Sequence, residues 1–247
     1  MSKILAFTNQ KGGVGKTTSV ANVGAGLARA GYKVLLIDLD PQANLTRGLG
    51  LEAPEYNVYG ALLQEYDLKA YPVQENLGLV AGAPALSSFE KVKGDELDRE
   101  YLLKDLLEPL HARCDYILLD CPPALGLITL NAYACADTLY IPVEAQLYAT
   151  DGLEKVLEMV ARVQRRLNPG LKIGGIFFTR FDGRKVLRRE TAELIREKYP
   201  TLVLTSTVRE AISLGEAPHL GQDIFRYAPA SPGATDYQAL VQEILTR

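Results

Sequence analysis

Short runs of β-branched and aliphatic residues recur along the chain, at residues 4–8, 33–38, 77–81, 116–120, 138–143, 172–179 and 202–205. Most are near-continuously apolar, as expected of strands covered on both faces, and none shows the longer period of a helix. Between them lie segments whose apolar positions follow helical spacing, at 17–30, 101–110, 125–134, 152–167, 184–198 and 234–245. Strand and helix in alternation, with right-handed crossovers, predict an α/β fold: a doubly wound, mostly parallel sheet with helices on both faces. Two stretches break the rhythm, 42–74 and 218–233, and their turn residues read as excursions from the sheet.

The chain has 247 residues, 47% of them hydrophobic and 23% charged, which fits a core-forming domain and excludes a disordered chain. Open α/β sheets of this size commonly form one unit, so we expect a single domain over residues 1–247. No apolar run approaches the roughly 18 residues of a membrane span, and the start leads directly into a strand without a leader-like segment. The expected location is the cytoplasm. Cys114, Cys121 and Cys135 are odd in number and lack CxxC spacing, which points to reduced thiols and away from a disulfide framework or zinc site. A formal net charge of −3 gives no overall attraction to nucleic acid, so any DNA contact must come from a local cluster.

The first strand and first helix are joined by Asn9-Gln10-Lys11-Gly12-Gly13-Val14-Gly15-Lys16-Thr17-Thr18. Glycines let such a loop curl so that its backbone N–H groups face inward, and the following helix N-terminus adds partial positive charge. Lys16 would then reach the β and γ phosphates of a nucleotide and the Thr17 hydroxyl would hold Mg²⁺. The residues expected around the phosphates are Lys11, Gly12, Gly13, Val14, Gly15, Lys16, Thr17 and Thr18. The usual G-x-x-x-x-G-K-[ST] pattern fails only at its first glycine, where Gln10 stands. A dinucleotide-binding loop is the rival reading, with Asp38 or Asp40 as its ribose acid, but its last glycine would fall on Thr18 and leave Lys16 without a role.

Three acids belong to the same edge. The second strand ends Asp38-Leu39-Asp40 and a later one ends at Asp120; parallel strands deliver both ends beside the loop that follows the first strand. Any one aspartate after a strand reads equally as a cap or turn former. Three beside a phosphate loop point to a bound Mg-nucleotide.

The run from Lys11 to Thr17 resembles the deviant Walker A loop of the ParA/Soj/MinD family of P-loop ATPases. The segment ending at Asp40 is similar to that family's Walker A′ motif, and residues 116–120 to its Walker B motif. Glu216-Ala217-Pro218 and the run from Ala228 to Ala234 look like its C-terminal signature, so the resemblance spans nearly the whole chain. It implies ATP and Mg²⁺ as cofactors. It also implies that Lys11 acts as the signature lysine reaching a partner's phosphates across a sandwich dimer, that Asp40 orients the attacking water, and that Asp120, supported by Asp38, contacts Mg²⁺. Lys11, Lys16 and Asp40 are thus the candidate catalytic residues, and Thr17, Asp38 and Asp120 the candidate metal residues. Residues 179–182 lack the Asn-Lys-x-Asp motif of guanine-specific switches; Thr179, Arg180 and Val208 are the expected base-pocket residues.

Arg180, Arg184, Lys185, Arg188 and Arg189 fall within ten residues that contain one acid, Asp182. Cations in the first turns of a helix oppose its macrodipole, and a docked phosphate backbone would relieve that cost. The bland reading is a solvated face partly neutralised by Glu190, Glu193 and Glu197. The resemblance favours DNA, although Ser213 stands where several DNA-binding members carry arginine. The C-terminal segment 236–247 is amphipathic but not basic, unlike the membrane helix of MinD-like members. The cysteines do not match the nitrogenase iron-protein pattern, and no helix-turn-helix extension precedes the first strand. The expectation is a partitioning switch: a homodimer when ATP-bound, holding nonspecific DNA at the nucleoid and released through a ParB-like activating partner. The alternative is a positioning ATPase that works through a protein partner without DNA.

Overall fold

The computed structural model describes residues 2–247. Eight strands form one sheet in the order β3-β4-β2-β5-β1-β6-β7-β8. They are β1 (Lys3–Phe7), β2 (Val34–Asp38), β3 (Tyr71–Gln74), β4 (Leu77–Val80), β5 (Tyr116–Asp120), β6 (Thr138–Val143), β7 (Lys172–Phe181) and β8 (Val203–Arg209). All pairings are parallel except that of β3 with β4. β3 lies in the stretch 42–74 expected to be an excursion, where its short length and Pro72 hide it. At an edge, Pro72 is tolerated because no further strand needs its missing N–H.

The longer helices are α1 (Lys16–Arg29), α6 (Leu127–Cys135), α7 (Ala149–Arg166), α8 (Val186–Lys198) and α11 (Pro232–Leu245). Shorter ones are α2 (Asn44–Gly48), α3 (Val58–Leu62), α4 (Phe89–Lys93), α5 (Leu102–Leu107), α9 (Ile212–Glu216) and α10 (Ile224–Tyr227). The doubly wound arrangement follows from the strand sequences. On β1, Ile4 and Ala6 join one core, while Leu5 and Phe7 join the other; on β5, Ile117 and Leu119 alternate with Tyr116 and Leu118 in the same way. A strand apolar at every position can be satisfied only between two layers. α1, α2, α10 and α11 cover one face, α3 to α8 the other.

The edge strand β8 is closed by α11. Glu243 accepts hydrogen bonds from the backbone N–H groups of Thr205 and Ser206, both at 2.8 Å, and Asp236 accepts from that of Arg209 at 2.9 Å. In the sheet order, the chain winds from β1 toward β2 on one side and from β6 toward β7 and β8 on the other. The loops after β1, β2, β5, β7 and β8 therefore open into one crevice at the carboxyl ends of the strands.

Candidate functional site

That crevice is a cleft of about 1050 Å³ walled by Gly12, Gly13, Gly15, Lys16, Thr17 and Thr18 on one side and by Thr179, Arg180 and Val208 on the other. Asp40 and Pro123 complete its floor. The glycine at position 15 is required by backbone: it precedes α1 with φ 80°, in the left-handed region. Around Gly12 and Gly13 nothing lies within 4 Å of where a Cβ would stand, so the loop leaves room for a ligand. Two side chains hold the loop in place. Thr179 on β7 donates to the Val14 carbonyl at 2.8 Å. Buried Asn9 donates to the Pro142 carbonyl at 2.8 Å and accepts from the Lys11 N–H at 3.0 Å, tying the loop to β6.

The Lys16 ammonium is largely buried and its one hydrogen bond is to the Lys11 carbonyl, at 3.3 Å. Desolvation lowers its pKa, opposed by the charges of Asp120 and Asp40. A buried cation so weakly held is available to an anion entering the loop. Lys11 donates to Gln146 at 2.8 Å on the exposed rim.

The carboxylates separate into two kinds. Asp38 is fully buried, and its oxygens accept from the Asp40 N–H at 3.2 Å, the Thr46 N–H at 2.9 Å and the Thr46 hydroxyl at 2.6 Å. The Thr46 hydroxyl also accepts from the Gly82 N–H at 2.9 Å, and a Cβ at Gly82 would stand 2.8 Å from the Asp38 carboxyl carbon. Asp38, expected among the metal residues, is thus occupied in anchoring the turn to Asp40 and the start of α2. Burial raises its pKa to about 6 despite the Thr46 bonds.

Asp120 is equally buried, yet neither carboxylate oxygen has a hydrogen-bond partner. Desolvation drives its pKa well up, Asp38 adds to the shift, and neighbouring Thr17 and Lys16 oppose it; Thr17 lies beside the carboxylate but outside hydrogen-bond geometry. A buried anion without partners is costly unless a cation or donor completes it. Asp120 beside the Thr17 hydroxyl therefore fits a Mg²⁺ bound with phosphate oxygens and water. Asp40, at the cleft floor, accepts from the Gln42 N–H at 2.9 Å and keeps its other oxygen without a protein partner.

The far wall includes residues sequence reasoning missed: Glu210, Ile212, Leu214 and Pro218 line the cleft with Val208. The segment 212–218, which contains Ser213 and the Glu216-Ala217-Pro218 signature, borders the same cleft.

The basic cluster does not stand as one patch. α8 begins at Val186, so Arg184 and Lys185 precede it, and only Arg188 and Arg189 meet its N-terminal dipole. Arg184, 91% exposed, pairs with Asp182 at 2.9 Å. Arg188, only 12% exposed, turns inward to buried Glu144 at 3.1 Å and to the Arg180 carbonyl. Arg180, Lys185 and Arg188 converge on Glu210 at 3.4, 3.7 and 3.8 Å. Among the described residues Glu190, Glu193 and Glu197 form no ion pair; the neutralising acids are Asp182, Glu144 and Glu210. Cys121 and Cys135 are buried and Cys114 partly so, all as free thiols. Among the described residues no helix is long and apolar enough to cross a membrane.

The AAA domain family profile matches residues 2–173. The chromosome-partitioning ATPase Soj of Treponema pallidum (strain Nichols) is 42% identical over 251 residues, covering 100% of this chain and 98% of that protein. The chain belongs to the ParA/Soj family of partitioning ATPases. Solved structures agree on the fold. Apo McdA from Cyanothece matches with a TM-score of 0.90 at 26% identity, over 99% of this chain and 100% of that one. The Mycobacterium smegmatis cobyrinic acid a,c-diamide synthase with bound ATP analog and magnesium matches with a TM-score of 0.87 at 31% identity, over 99% and 95%. As a member of the ParA/Soj family the protein is an ATP-hydrolysing enzyme of the positioning kind, with ATP and Mg²⁺ as its cofactors.

Proposed function

We propose that this single ATPase domain is a nucleotide-gated partitioning switch of the cytoplasm, which pairs with a second copy when ATP is bound, grips nonspecific DNA and lets go on hydrolysis. The observation that carries the nucleotide half is Asp120, a buried carboxylate with no protein partner beside Thr17 and Lys16. Lys16 and the N–H groups of residues 12–18 bind the phosphates. Thr17 and Asp120 hold Mg²⁺, which when bound neutralises phosphate charge and orients the β and γ groups. Asp40, steadied through Asp38, aligns the attacking water. Lys11, held at the cleft rim by one hydrogen bond, crosses to the partner's phosphates. Thr179, Arg180 and Val208, with Glu210 and Ile212, flank the base. Contacts made only with ATP shift monomer toward dimer by their differential affinity.

For the DNA half, exposed Arg184, Lys185 and Arg189 are the contact residues, with Arg180 at the margin; Arg188 is their internal support. Association with the nucleoid and release by a ParB-like activator complete this reading, and similarity to a chromosome-partitioning ATPase supports it. A second reading has one observation in its favour: Val186, Leu187 and Leu194 are each more than half exposed on α8, as at a protein contact. Retention on nonspecific duplex DNA, measured without nucleotide, with ADP and with ATP plus Mg²⁺, separates the two. Salt-sensitive retention with ATP alone, lost in Lys16→Ala and Arg184→Glu, supports the DNA switch. Dimerisation by ATP without retention transfers the basic segment to a protein partner.

A further inference from the structure

The contacts of Lys11 continue far beyond the phosphate loop. Its ammonium donates to Gln146 Oε1 at 2.8 Å, and the other end of that amide, Nε2, donates to Glu144 Oε1. Charge fixes the orientation of the amide: reversed, its NH₂ would face an ammonium and its carbonyl oxygen a carboxylate. Glu144 is buried just past β6, and the same Oε1 accepts from Arg188 Nη2 at 3.1 Å. Arg188 in turn donates to the carbonyl of Arg180, a residue held in the left-handed region at φ 49°. An unbroken polar chain therefore runs from the phosphate loop, through the segment after β6, to the first turn of α8 and the cleft wall at Arg180.

We propose that Gln146 is a positioning residue that holds Lys11 in reserve, and that the Glu144–Arg188 pair transmits the departure of Lys11 to the basic segment 180–189. The inference rests on the reading above in which Lys11 leaves to meet phosphates across the dimer. Departure breaks a charge-assisted hydrogen bond and frees the Gln146 amide from its fixed orientation. Glu144, buried and until then shared, is left to Arg188, the one cation it touches. The buried pair cannot separate cheaply, so a change in how Glu144 is shared is felt at Arg188, the Arg180 backbone and the start of α8. Arg180 belongs both to the nucleotide cleft and to the basic segment, so one chain of contacts serves both ends of the switch.

The test uses full-length protein carrying Gln146→Ala or Gln146→Glu, titrated with ATPγS and Mg²⁺. The midpoint of dimer formation is read by sedimentation, and hydrogen exchange of residues 180–189 is read without nucleotide. Removing the acceptor lowers the midpoint about threefold or more, and a carboxylate acceptor raises it by a similar factor. Nucleotide-free Gln146→Ala exchanges over 180–189 like ATPγS-bound wild type. Shifts of the same sign in both variants, or midpoints equal to wild type, overturn the holding role. Opposite shifts with unchanged exchange overturn the transmission. Lys11→Ala separates this inference from the reading beneath it: undiminished dimerisation overturns both, whereas weakened dimerisation with wild-type midpoints in the Gln146 variants overturns the inference alone.

Discussion

Asp38 and Asp120 stand directly opposite each other on the paired strands β2 and β5, yet Asp38 has both oxygens occupied and Asp120 has neither. The same residue type in the same register thus performs two tasks. Asp38 fixes the backbone that carries Asp40, and Asp120 keeps both oxygens free of protein partners.

Asp120→Asn is expected to raise the melting temperature of the nucleotide-free protein at pH above the folded pKa of Asp120, because a neutral amide escapes the desolvation cost of the buried carboxylate. It is also expected to abolish the added stability that Mg²⁺ gives in the presence of ATP. A carboxyl held above its unfolded pKa binds its proton more tightly in the fold, so its charged form costs stability at pH above the folded pKa. That cost fades as pH falls toward the unfolded value. The advantage of Asp120→Asn over wild type should therefore shrink on acidification, as read by calorimetry across a pH series. An advantage that grows in acid would refute the assignment of burial as the cause.

Asp38→Ala is expected to act in the opposite direction, lowering stability by about 2–4 kcal/mol, since it strands the Thr46 hydroxyl and N–H in the core. Chemical denaturation measures the loss. A variant as stable as wild type would show that the Thr46 and Gly82 contacts do not anchor this turn.

Asp40→Ala leaves ATP binding within a few-fold of wild type and lowers turnover about 10²-fold or more, the usual effect of losing a group that aligns a nucleophile. Equilibrium binding of a fluorescent ATP analogue beside steady-state phosphate release distinguishes the two. Equal losses in both would reassign Asp40 to binding.

Arg184 and Arg188 are expected to part company. Arg184→Glu removes DNA retention while leaving the melting temperature near wild type, because the side chain is 91% exposed. Arg188→Ala lowers stability by about 3 kcal/mol, because it leaves buried Glu144 without its cation. DNA retention and thermal melts on the two variants check the contrast; a stable Arg188→Ala that has lost only DNA would return Arg188 to the surface.

The phosphate loop is readable in sequence because everything it needs is local: Gly15 where the backbone turns left-handed, Lys16 and Thr17 at the helix start. The sheet is readable because β1, β2 and β5 are apolar throughout except for Lys3, Asp38 and Asp120 at their ends. What was hidden depends on distant partners. Only Thr46 and Gly82 tell Asp38 from Asp120. Glu144, 44 positions away, with Glu210 and the Arg180 carbonyl, turns Arg188 inward from a run that reads as a uniform basic face. The cleft wall at Ile212 and Leu214 carries no polar signature at all, and the edge strand β3 is masked by Pro72 in a turn-rich stretch.

The two margins of the sheet complete the picture. At one, Pro72 interrupts the outermost ladder with a residue that has nothing to donate; at the other, Glu243 and Asp236 of α11 take up N–H groups of β8. At both margins the ladder offers a foreign strand fewer free N–H groups to pair with, which blunts the edges as templates for accretion.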